Sequence, residues 1–232
     1  MTMAVLVLWS ALPAAAEIVA AEYLDPVTRY DHGVLGDAVE WGALRLRVSE
    51  GGTSQDVVIR LPHTRVFEDL APRLVELGGR RAAMVVETDL SEGARLALYD
   101  VDGLLAAGPF IGQRHRWLAP VGAGDLDGDG RIEIAWVDRP HLAKVLRIWR
   151  YRAGSGRLEE VARAEGFSNH RIGWDYITGG LRDCGNGPEM ILADGAWHRV
   201  MAARLQHGRI EAKALGAYSE GVMRAAMACD PH

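Results

Sequence analysis

Residues 125–133 read Asp-Leu-Asp-Gly-Asp-Gly-Arg-Ile-Glu, and the reading of this stretch decides the fold. Asp125, Asp127 and Asp129 alternate with small or apolar residues, and Glu133 follows four positions later. Carboxylates this close in sequence repel one another unless a cation neutralises them. Oxygen ligands at positions 1, 3, 5 and 9, with the backbone carbonyl of Arg131 at position 7, are the donor set a hard ion such as Ca²⁺ prefers. Gly128 and Gly130 allow the tight, partly left-handed turn that folds the oxygens inward. An EF-hand begins in the same way but needs a bidentate Glu at position 12 and flanking helices. Position 12 here is Trp136, and the run Ile132-Glu-Ile-Ala-Trp-Val137 is β-branched and aromatic, so the loop leads into a strand.

Outward from the loop, three stretches line up, beginning at His63, His115 and His170 with a spacing of roughly 50 residues, the range of a propeller blade. Each runs from the histidine through an apolar strand and a Gly-rich turn to a second apolar strand. Two more strand-like segments follow each pair, separated by turn signals at Asp102-Gly103, Gly154-Ser155-Gly156 and His207-Gly208. Four short strands per repeat make one blade. The predicted fold is therefore all-β, a small β-propeller of about four four-stranded antiparallel blades, with five as the alternative. The approximate blades are 23–62, 63–114, 115–169 and 170–217, with a closing tail over 218–232. Tail residues 222–229 have helical propensity, which competes with closure by a strand.

The loop between two strands, within repeats of blade length, resembles the FG-GAP or VCBS repeats that build the calcium-binding propeller of integrin α chains. The resemblance implies a Ca²⁺ site formed by Asp125, Asp127, Asp129, the carbonyl of Arg131, and Glu133, with Glu133 standing where Asp is commoner. The third repeat keeps a damaged loop, Asp183-Cys-Gly-Asn-Gly-Pro-Glu189, and in the first the cation position falls to Arg80 and Arg81.

Composition sets further bounds. The chain has 232 residues, 49% hydrophobic and 25% charged, with a formal net charge of −5, and its basic residues are scattered, which argues against a nucleic-acid partner. Met3 to Leu12 is apolar and is followed by Ala14-Ala15-Ala16, the pattern of a signal peptide cleaved after Ala16. The expected location is periplasmic or secreted, with no membrane span in the mature chain 17–232. In an oxidising compartment Cys184 and Cys229, the only cysteines, are expected to form one disulfide. No Gly-x-Ser-x-Gly, His-Glu-x-x-His or phosphate loop occurs. The recurrent histidines are read as packing or hydrogen-bonding residues, and the tryptophans as core. The sequence thus points to a non-enzymatic propeller that binds a protein or glycan. Its alternatives are an exported hydrolase or lyase with residues converging at the axis, and a subunit of an envelope assembly.

Overall fold

The computed structural model describes residues 16–230; residues 1–15 of the expected leader lie outside them. Seventeen strands and one helix form among the described residues. The first sheet holds eight strands: β1 (Glu17–Val27), β2 (Glu40–Glu50), β3 (Thr53–Arg60), β4 (Arg65–Phe67), β5 (Arg73–Glu76), β6 (Arg81–Asp89), β7 (Gly93–Asp100) and β8 (Gly103–Ala107). The second is β9 (Leu118–Gly124), β10 (Glu133–Asp138), β11 (Val145–Arg152) and β12 (Arg157–Glu165), ordered β12-β11-β10-β9. The third is β13 (Phe167–Ser168), β14 (Gly180–Asp183), β15 (Pro188–Asp194), β16 (Arg199–Gln206) and β17 (Arg209–Ala217), and helix α1 (Glu220–Met227) follows it.

Strand alternation explains how these sheets stack. Successive side chains in a strand point to opposite faces. In β6, Ala83 and Val85 join Tyr23, Leu44, Phe67 and Tyr99 in one core, while Ala82, Met84 and Val86 join Trp117, Ile134 and Trp136 in the next. In β10, Ile134 and Trp136 enter that second core, and Ala135 and Val137 enter a third with Leu146, Ile148, Met190 and Leu192. In β15 the next residue, Ile191, turns to a fourth core with Val200, Ala202, Met223 and Ala226. The inner strands therefore read as near-continuous apolar runs because both of their faces are buried.

This arrangement corrects the predicted propeller. The short strand β4 pairs with β2 through Trp41 and Phe67, and with β6 through Arg65–Phe67, which fuses the first two expected blades into one sheet. The three sheets are open, and among the described residues no strand of the third pairs with β1. The tail that was to close a ring is a helix instead. Ser219 caps it by accepting from the Val222 N–H at 3.1 Å, and its Met223 and Ala226 cover the last apolar face. With this face covered by α1, it is not available for a further sheet to stack on. The first and last parts of the chain do meet through loops: the Gly173 N–H donates to the Val34 carbonyl at 3.2 Å. Cys184 and Cys229 form the expected disulfide, tying the end of α1 to the β14–β15 turn.

Candidate cation loop and histidine cleft

The 125–133 loop folds as its glycines require. Gly128 and Gly130 have φ of 79° and 81°, a region an L side chain enters only with strain. Asp125 organises the turn: one carboxylate oxygen accepts the N–H groups of Gly128 (2.8 Å) and Asp129 (3.0 Å), and the other accepts that of Gly130 (2.9 Å). Buried Glu133 accepts the Leu126 N–H at 3.0 Å. Oxygens of Asp125, Asp127 and Glu133 lie within 4.8 Å of one another, an arrangement able to hold a divalent cation; the Asp129 carboxylate is not in this group.

A cation of the chain's own also reaches the loop. Arg150 stands opposite Glu133 in the β10–β11 register. Its guanidinium contacts Glu133 Oε1 at 2.5 Å, Asp127 Oδ2 at 2.7 Å and Asp129 Oδ2 at 3.1 Å. Burial raises the Glu133 carboxyl above its usual range, and the Arg150 hydrogen bond opposes that rise. The third repeat shows the same solution. Burial works against ionisation of Glu189, but Arg182 at 2.7 Å and Arg204 at 2.9 Å outweigh it and hold its carboxyl low. In the first repeat Arg80 pairs with Asp100 at 2.5 Å. Each turn of the repeat thus carries an arginine–carboxylate clamp.

A second constellation lies where loops of all three sheets meet, in a cavity of about 260 Å³ lined by His32, His115, Arg116, Trp117, Arg139 and His141 and rimmed by Val34, Leu142 and Ile172. His32 Nδ1 contacts Glu68 Oε1 at 2.5 Å. Glu68 is fully buried, its other oxygen accepts the Thr88 hydroxyl at 2.6 Å, and its backbone carbonyl accepts the Trp117 indole N–H at 2.8 Å. Burial pushes its carboxyl up, with the His32 hydrogen bond the main opposing effect. Nearby Glu40, also buried, is pushed up to about 9, by burial first and by the charge of Glu68 second, so it keeps its proton at neutral pH.

His115 stacks on His32 with ring centroids 5.1 Å apart, its backbone N–H donates to Tyr30 Oη at 2.8 Å, and its Nε2 meets Asp31 at 3.0 Å. His141 Nε2 lies 3.0 Å from His170 Nδ1, and His170 Nε2 lies 2.9 Å from the Trp174 carbonyl. A carbonyl only accepts, so His170 carries its proton on Nε2 and accepts at Nδ1; His141 then donates from Nε2 and keeps a free lone pair on Nδ1. Burial lowers both imidazoles, that of His141 to about 4 with His170 adding to the effect, so the pair is neutral at pH 7. His115 and Arg139 hold left-handed backbone, with φ of 57° and 46°. Strain of this kind, of order 1–3 kcal/mol per residue, persists where the surroundings over-determine it.

The histidine repeat pattern found this site only in part. His115 and His170 belong to it, whereas His63 is exposed and outside it. His32, His141, Glu40 and Glu68 carried no periodic signal. Trp136 and Trp149 pack as core, as expected, but Trp174 and Trp197 sit in half-exposed loops. No helix among the described residues is long and apolar enough to cross a membrane. No protein-family model and no curated protein matches the chain, and with three open sheets in place of a closed ring the likeness to FG-GAP and VCBS propellers is not upheld.

Proposed function

We propose that the histidine cleft is the functional site and that it binds a small organic anion, a carboxylate or phosphate carried on an apolar body. The observation that carries this reading is Arg116. Arg116 lines the cleft, and its guanidinium bonds only the His115 carbonyl at 3.0 Å, with no carboxylate partner among the described residues. The acids at the cleft already have partners: Asp31 is held by Arg114 and His115, Glu68 by His32 and Thr88, and Asp138 by Arg139 and Arg147. An anion would meet Arg116 in a partly desolvated site, where charge-assisted hydrogen bonds are strong, and its apolar part would meet Trp117, Val34 and Leu142. The reading is one of binding, with no reaction assigned. Calorimetric titration with phenyl phosphate and with benzoate tests it. Arg116→Ala should weaken the better ligand at least about ten-fold, equivalent to about 1.4 kcal/mol, and failure of the wild type to bind either compound at millimolar concentration would sink it.

The loop supports a second, structural reading: Ca²⁺ is the ion that Asp125, Asp127, Asp129, the Arg131 carbonyl and Glu133 take. An all-oxygen donor set on a glycine-hinged turn suits a hard, flexibly coordinated cation. Binding to the native state alone stabilises it by mass action, by about 2.7 kcal/mol at a hundred times the dissociation constant. Melting with Ca²⁺, Mg²⁺ or EGTA, beside Asp127→Ala, is the check; identical curves in all conditions would leave the loop's acids to Arg150 and Arg131. The disulfide supports residence in an oxidising compartment, periplasmic or secreted. A mature N-terminus at Glu17, read by mass spectrometry of the exported protein, is the corresponding expectation.

A further inference from the structure

Arg171 is exposed, yet among the described residues it has no carboxylate partner and its side chain makes no hydrogen bond. Aromatic faces hold it instead. Its guanidinium carbon lies 4.5 Å from the ring centroid of Trp197, 5.5 Å from that of Trp174 and 5.7 Å from that of Tyr218. All three distances fall inside the range of cation–π attraction.

The rings are positioned as a group. Trp197 meets Trp174 edge-on at 5.3 Å and Tyr218 edge-on at 4.8 Å, while Tyr176 stacks on Trp174 at 4.5 Å. Trp197 holds left-handed backbone, φ 60°, in a turn fixed by its own N–H to the Asp194 carbonyl (2.9 Å) and by the His198 N–H to the Asp194 carboxylate (2.7 Å). The Tyr218 N–H donates to the His198 carbonyl at 2.8 Å, and His170 fixes the Trp174 carbonyl. Glu220, at the start of α1, receives the Tyr176 hydroxyl at 3.2 Å and places a carboxylate, shared with Arg224 at 3.6 Å, at the rim.

We propose that Trp174, Trp197 and Tyr218, with Tyr176 and Glu220 at the rim, form a cage for a tetraalkylammonium group, and that Arg171 is its resident, displaceable occupant. A methylated ammonium is weakly hydrated, so it loses little solvation on entering an aromatic cage, whereas a guanidinium that swings out regains water. The cage shares no lining residue with the anion cleft: Ile172 lines the cleft, whereas Arg171 lies against the rings of the cage.

The group can arrive as a free solute or as a lipid headgroup, and calorimetry with vesicle sedimentation separates the two. Choline is titrated into the full mature chain at constant ionic strength set with sodium chloride, and binding to phosphatidylcholine vesicles is compared with binding to phosphatidylglycerol vesicles. Wild type should bind choline, Arg171→Ala should bind it about five-fold more tightly because the resident cation is gone, and Trp197→Phe, which keeps a ring in place, should bind several-fold more weakly. Sedimentation with phosphatidylcholine alone identifies the headgroup as the source; choline binding without sedimentation identifies a free solute. Absence of choline binding in both wild type and Arg171→Ala, or equal affinity in the two, overturns the proposal.

Discussion

Glu133 and Arg150 show what a sequence reading misses at the scale of single residues. The acidic loop was legible because its ligand spacing is local. Its partner was not, because Arg150 faces Glu133 only through a strand register set 17 positions away in the chain. Since Arg150 and Glu133 are buried, removing the guanidinium strands a buried carboxylate. Arg150→Gln should therefore cost about 3 kcal/mol in urea unfolding without divalent ions, and Ca²⁺ should return a larger share of stability to this variant than to wild type, because ion and guanidinium contend for Asp127 and Glu133. Equal Ca²⁺ effects in the two proteins would show that the ion and Arg150 do not compete. Histidine and carboxylate titrations give a second prediction. Glu40 has a folded pKa near 9, above its unfolded value, so folding retains a proton and stability falls as pH rises from about 4.5 to 9. His141, lowered to about 4, works in the opposite sense: the unfolded chain binds the proton first, and stability is lost as pH falls from about 6.5 toward 4. The two effects therefore offset each other between about pH 4.5 and 6.5, and Glu40 alone lowers stability above that window. Glu40→Gln should raise the urea midpoint at pH 8 by more than about 1.4 kcal/mol equivalent, the worth of one pKa unit, and change it little at pH 4; an equal effect at both pH values would show that Glu40 does not titrate as described.

Elements were the more legible scale. The strand-like segments expected before the turn signals Gly154-Ser155-Gly156 and His207-Gly208 correspond to β11 and β16, and each buries alternate side chains. The tail shows the limit of that reasoning: its helical propensity was visible, but which face it covers depends on Ile191 and Val200, far away in sequence. The disulfide joins this helix to the β14–β15 turn across a sequence separation of 45 residues. Closing a loop of that length restricts the unfolded chain by about 4 kcal/mol in the chain-entropy treatment. The double variant Cys184→Ser, Cys229→Ser should lose stability of that order in denaturant, and the loss should persist in reducing buffer, where wild type falls to the same value. A variant as stable as oxidised wild type would mean that α1 docks through its apolar face alone.

At the scale of the molecule, the periodicity revealed repeating strand groups but not how they assemble. A blade-length repeat is compatible with a ring and with an open stack, and the difference rests on contacts between distant segments, such as β4 bridging β2 to β6 and α1 lying over β15 and β16. The two assemblies respond differently to loss of the tail. In a ring closed by its C-terminus, removing residues 218–232 would open the seam and expose the first sheet as well as the last. In the stack, Met223 and Ala226 cover only Ile191, Val200 and Ala202, while β6 stays enclosed between Tyr23, Leu44 and Phe67 on one side and Trp117 and Ile134 on the other. Hydrogen exchange of a chain ending at Ala217 should show protection lost in β16 and β17 and retained in Arg81–Asp89. The uncovered face is apolar, so the truncated chain should also self-associate on size exclusion. Loss of protection in β6 together with β16 would mean that stability is shared around a closed circuit, and the linear order of the four cores would have to be abandoned.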